Sequence, residues 1–118
     1  MRIWVVDDEV GILQVMEIFL KRAGHSVECF NSVDQLLRTI AREGAEVPNL
    51  VLMDAMLSGQ SGLEVLERLA SEWGQLPTMV VMSGDGDVAS RVPPTMHWLR
   101  KPFSLDELMR LIDRLNSA

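Results

Sequence analysis

Short apolar runs, several rich in β-branched residues, recur along the chain at Ile3–Val6, Ser26–Phe30, Leu50–Met53, Thr78–Met82 and Met96–Leu99. Three of the five are apolar at nearly every position, as expected of strands covered on both faces. Between the runs the period changes to three and four. Ile12, Met16, Phe19, Leu20 and Ala23 form one stripe within Val10–Ala23, and Leu105, Leu108, Ile112 and Leu115 another within Ser104–Asn116. Strand-like runs alternating with amphipathic windows predict an α/β fold around a parallel sheet.

The helix boundaries carry their own signals. Ser32 with Gln35, Ser61 with Glu64, and Ser104 with Glu107 have the spacing of capping boxes. Gly24, Gly44 and Gly74 follow the expected ends of the first three helices, and Lys21-Arg22 closes the first, where cations favour the helix dipole. With right-handed crossovers, five strands in this order form a doubly wound five-stranded parallel sheet. The fourth helix is expected to be short. Gly84, Gly86, Pro93 and Pro94 leave only Asp87–Arg91 free to be helical, and an isolated turn of that length is marginal in water.

Composition narrows the classes of function. At 118 residues, 47% hydrophobic and 24% charged, residues 1–118 read as one globular domain that needs no disulfide or metal staple. A net charge of −6 disfavours direct binding to nucleic acid. No apolar run approaches the roughly 18–20 residues of a membrane span, and the first residues lack a signal peptide. The lone Cys29 cannot pair within the chain, which fits a reducing compartment, so a cytoplasmic location is expected. His25 and His97 have no metal-like spacing, and Trp4 and Trp73 read as packing residues.

Ligands of open α/β sheets sit beyond the carboxyl ends of the strands. There the sequence places Asp7-Asp8, Asp54, Ser83 and Lys101-Pro102. Singly, each has an ordinary reading: a helix cap, a strand terminus, a turn residue, a solvated lysine. Together they are harder to dismiss. Clustered carboxylates repel by about 1 kcal/mol per pair at ~4 Å in water, and more when buried, so a cation must compensate them. Hard divalent ions with oxygen ligands do so.

This set, in this order and at these strand ends, resembles the receiver domain of bacterial two-component response regulators. The resemblance covers the whole chain and implies a (βα)5 flavodoxin-like receiver fold with, here, a shortened fourth helix. It implies that Asp54 is the phosphoacceptor, that Asp8 and Asp54 bind Mg²⁺ with the backbone carbonyl of Met56, and that Asp7 does so through water. It further implies that Ser83 hydrogen-bonds a phosphoryl oxygen and that Lys101 pairs with the phosphoryl group or Asp54. Trp98 matches the aromatic that switches between exposed and buried states, and the bond before Pro102 is implied to be cis. The implied partners are a sensor histidine kinase or phosphotransfer protein and a downstream effector, with homodimerisation on phosphorylation as a further implied outcome. Such a domain is a switch that catalyses its own phosphorylation and dephosphorylation, not an enzyme acting on other substrates.

Some positions depart from the family pattern. Where relatives usually carry Met-Pro and then Asp-Gly after the phosphoacceptor, this chain has Leu57-Ser58 and Ser61-Gly62. Met56 has a thioether that cannot orient an attacking water, so slow loss of the phosphoryl group is expected. Ser83 and Lys101 stand 18 residues apart, about one helical turn less than the family norm. Two other classes compete: a haloacid-dehalogenase-like phosphatase and a pseudo-receiver that only binds partners. The first requires an acid two residues after the nucleophile, where Met56 stands; intact Asp8, Asp54 and Lys101 weigh against the second.

Overall fold

A computed structural model of the chain describes residues 1–42, 46–73 and 77–117. Five parallel strands form one sheet: β1 (Arg2–Val6), β2 (Ser26–Phe30), β3 (Leu50–Asp54), β6 (Thr78–Ser83) and β7 (His97–Arg100), in the spatial order β2-β1-β3-β6-β7. The helices are α1 (Val10–Arg22), α2 (Val33–Ala41), α3 (Gly62–Glu72), α4 (Gly86–Arg91) and α5 (Leu105–Asn116). The last strand lies one residue later than the apolar run Met96–Leu99 suggests. One feature was not foreseen from the sequence: Met56–Leu57 (β4) and Gln60–Ser61 (β5) pair as a small antiparallel hairpin between β3 and α3.

Strand side chains alternate between the faces of the sheet, and the two cores divide accordingly. Ile3, Val5, Leu50, Leu52, Val80 and Met82 pack with Leu13, Met16 and Leu20 of α1 and with Leu108, Leu111 and Ile112 of α5. Trp4, Val6, Val51, Met53, Met79 and Val81 pack on the other side with Leu36 of α2 and with Leu66 and Leu69 of α3. Trp4 sits edge-on to Phe30 and Trp73, at centroid distances of 5.2 and 5.8 Å, so both tryptophans are packing residues.

Helix starts differ in detail from the expected capping boxes. Ser104 and Glu107 form the reciprocal pair. Ser32 accepts from the Gln35 amide, but the Gln35 side chain accepts from Asn31 rather than from Ser32. Ser61 accepts from the Glu64 amide as a simple cap. Gly24 takes φ 94 after α1, as its place at the helix end requires. Gly44 and Gly74 lie outside the described residues. The fourth helix has six residues and no buried side chain. From β1 the chain moves outward to β2, then returns past β1 to β3, so the fold reverses direction between β1 and β3. In doubly wound sheets that reversal opens the crevice where ligands bind.

Candidate functional site

The crevice is lined by the residues just beyond the carboxyl ends of β1 and β3. Asp7 continues the alternation of Ile3 and Val5, Asp54 that of Leu50 and Leu52, and Lys101 that of Leu99, so all three belong to the α1/α5 side of the sheet. Asp7 is fully buried. Its Oδ2 accepts from Lys101 Nζ at 2.9 Å and its Oδ1 from the Glu9 amide at 2.9 Å. A buried carboxylate is tolerated only when paired and hydrogen-bonded, and Asp7 is both. Lys101 Nζ also stands 3.4 Å from Asp54 Oδ1. The ammonium therefore holds Asp7 more closely than Asp54.

Asp7, Asp8 and Asp54 each offer an oxygen, and the three oxygens lie within 4.8 Å of one another. Three carboxylates against one ammonium leave a local charge of −2. Burial raises the Asp54 carboxyl above its ordinary value, the charge of Asp7 raises it further, and Lys101 and the Met56 amide offset only part of this. Burial opposes the charge on Lys101, but its bond to Asp7 and the charges of Asp7 and Asp54 outweigh it, so its pKa is raised. All-oxygen donors, a residual charge of −2 and an uncomfortable Asp54 carboxylate fit a hard divalent cation.

Two glycines let the backbone close around these groups. A Cβ on Gly62 would stand 1.9 Å from the Asp54 carbonyl oxygen, so only glycine allows α3 to begin there. The Gly62 amide donates to the Ala55 carbonyl at 2.7 Å. A Cβ on Gly84 would meet the Lys101 carbonyl oxygen at 3.0 Å.

Ser83 ends β6 with its Oγ accepting from the Asp85 amide at 2.9 Å. Its carbonyl accepts two bonds, from the Trp98 indole Nε1–H at 3.1 Å and from the Lys101 amide at 3.0 Å. Trp98 is thus tied to the backbone that carries both Ser83 and Lys101. Met56 opens β4; its amide makes a long contact of 3.5 Å to Asp54 Oδ1, and the residue is 58% exposed. The Lys101–Pro102 peptide bond is cis. Sequence reasoning missed the contact from the Ser58 amide to Asp8 Oδ2 at 3.2 Å. Its only local signal is the turn-forming dipeptide Ser58-Gly59. Between α1 and the β7–α5 connection lies a hollow of about 680 Å³, lined by Ile12, Val15, Met16, Pro102, Phe103 and Leu105 and reaching Lys101.

A doubly wound sheet with an acidic triad and a lysine at its switch point defines a class, and the chain belongs to it: the response regulator receiver domain, whose family model matches residues 3–113. Domains of this class are signalling switches of two-component systems. The DNA-binding transcriptional regulator NtrC of Klebsiella pneumoniae is 30% identical over 115 residues, which cover 94% of this chain and 24% of the relative. Response regulator MprA of Mycobacterium leprae is 34% identical over 119 residues, covering 98% of this chain and 50% of the relative. Among solved structures, the receiver domain of NtrX from Brucella abortus matches with a TM-score of 0.80 at 29% identity over 98% of each chain. The chain therefore spans about a quarter of the first curated relative and half of the second.

Proposed function

We propose that residues 1–118 act as one receiver domain that accepts a phosphoryl group on Asp54 from a phosphohistidine of a sensor kinase or phosphotransfer protein. The observation that carries this reading is Lys101 Nζ, held 2.9 Å from buried Asp7 and 3.4 Å from Asp54. A positive charge held beside the Asp54 carboxylate suits the transfer of an anionic phosphoryl group to it.

An Asp54 carboxylate oxygen attacks phosphorus, forming an O–P bond. The P–N bond breaks, and its electron pair returns to the imidazole nitrogen, which takes up a proton. Such transfers are catalysed mainly by positioning and by charge neutralisation on the phosphoryl oxygens. Lys101 supplies one such charge and Ser83 a hydroxyl proton, since its Oγ now only accepts. Asp8 and Asp54, with the Met56 carbonyl, would hold Mg²⁺ directly, and Asp7, already committed to Lys101, through water. When bound, the ion neutralises the residual carboxylate charge and the charge of the incoming phosphoryl group.

Ser83 can donate its hydroxyl proton to a phosphoryl oxygen while its Oγ still accepts from the Asp85 amide. The Trp98 indole and the Lys101 amide both bond the Ser83 carbonyl, so the three residues are linked through one backbone group. The apolar hollow beside α1, with exposed Val10, Val15 and Ile18 on that helix, suits the helices of a phosphodonor protein. Lys101, whose Nζ stands 3.4 Å from Asp54 Oδ1, is among the residues that line it. A cytoplasmic setting and a downstream effector complete the reading.

Incubation with Mg²⁺ and a small phosphodonor such as acetyl phosphate, followed by intact-mass measurement, tests it. One phosphoryl adduct, absent in Asp54→Ala, is expected. Turnover of phosphate esters without an adduct points instead to a phosphatase, and no reaction to a binding-only domain.

A further inference from the structure

Asp8 is the most exposed of the three acids and the one without a cationic partner among the described residues. Repulsion from Asp7 and Asp54 favours rotation of its side chain into solvent. Among the described residues its one hydrogen bond comes from the Ser58 amide, which donates to Oδ2 at 3.2 Å. Ser58 has φ 47 and Gly59 φ 85. Two successive left-handed residues between the paired Leu57 and Gln60 make the tight I′ turn that joins two-residue hairpins. Pairing of Met56 with Ser61, and the Gly62 amide bonded to the Ala55 carbonyl at 2.7 Å, fix the hairpin at its base. The amide at its tip is therefore held in place rather than free to follow the carboxylate.

Proline has no amide hydrogen, and its ring fixes φ near −65°, so it can neither make this bond nor adopt this turn.

We propose that the Ser58 backbone amide is the positioning group for Asp8, and that the Met56–Ser61 hairpin sets the affinity of the acidic site for Mg²⁺. One Asp8 oxygen is held by the amide while the other stays free for the ion. Carboxylates that ligate metals are generally oriented by such outer hydrogen bonds, and losing one costs about tenfold or more in affinity. The inference rests on the reading of Asp8 as a metal ligand.

Calorimetric titration of Mg²⁺ into the whole chain tests it, with a metal-free thermal melt of every variant as a check on folding. Ser58→Pro, which removes the amide hydrogen and the left-handed turn, should weaken binding about tenfold. Ser58→Gly keeps both and should restore wild-type affinity. Gly59→Val keeps the amide but strains the turn, and should weaken binding severalfold even if Ser58→Pro fails to fold. In an Asp8→Ala background, Gly59→Val should have no further effect. Unchanged affinity in Ser58→Pro, or in Gly59→Val where only that variant folds, overturns the inference, as does equal weakening in Ser58→Gly. If the wild-type chain itself binds no Mg²⁺, the metal reading fails first and this inference with it.

Discussion

The Asp7 carboxylate has no exposed surface, and Lys101 and the Glu9 amide share its two oxygens. Asp54 is less well provided for, since burial and Asp7 both raise its pKa. Asp54→Asn removes one member of a repulsive cluster. Without added metal it should raise the melting temperature by about 2–4 °C while abolishing phosphorylation; a lower melting temperature would contradict this account. Lys101→Arg keeps the charge but replaces a compact ammonium, shared at 2.9 and 3.4 Å, with a broad plane. The variant should lose the phosphorylation-dependent change in Trp98 fluorescence, and a wild-type change would refute the role. Gly62→Ala would push a methyl group into the Asp54 carbonyl, and should cost about 1–3 kcal/mol in denaturant unfolding. Cys29 has no part in the site. Burial pushes its thiol up to about 11 from 9.0. At pH 8 the folded chain then holds about a hundredfold less thiolate than the unfolded chain, because each pKa unit is tenfold. Iodoacetamide should alkylate Cys29 correspondingly slower in buffer than in denaturant; equal rates would place the thiol in contact with solvent.

Among the elements, α4 and the hairpin show opposite relations to the sequence. The glycines and prolines around Asp87–Arg91 foretold a helix of little more than one turn, and α4 has six residues capped by Asp85. Val88 and Val92 pack only partly against the core. Such a segment opens with little loss of burial, so amide exchange should be fast across Asp85–Val92 and slow in α5, which buries Leu108, Leu111 and Ile112. Protection in α4 matching that of α5 would show the opposite. The β4–β5 hairpin escaped prediction because its strands have two residues each, too short for any periodicity to register. Capping signals were good to the level of the cap itself. They did not foretell whether the third residue reaches back, because that depends on the rotamer of Gln35 or Glu64 rather than on spacing.

For the molecule as a whole, the sequence by itself determined the class of fold, the order of strands and helices, and the residues at the strand ends. Those are local properties. Period two or three-to-four, caps and breakers act within a few residues, and strand alternation then assigns each side chain to a face. The same local rules placed Asp7, Asp8, Asp54, Ser83 and Lys101 at one edge of the sheet, although they come from distant parts of the chain. Which partner each would take was decided only in three dimensions. Lys101 sits closer to Asp7 than to Asp54, the Trp98 indole donates to the Ser83 carbonyl, and the Ser58 amide reaches Asp8 across 50 positions. Gly62 shows the same division. In the sequence it is a turn residue; in the fold its missing side chain is what lets α3 start against the Asp54 carbonyl. Contacts of this kind depend on the register between strands and the path of a loop, to within a fraction of an ångström, and no short-range pattern in the chain encodes that distance.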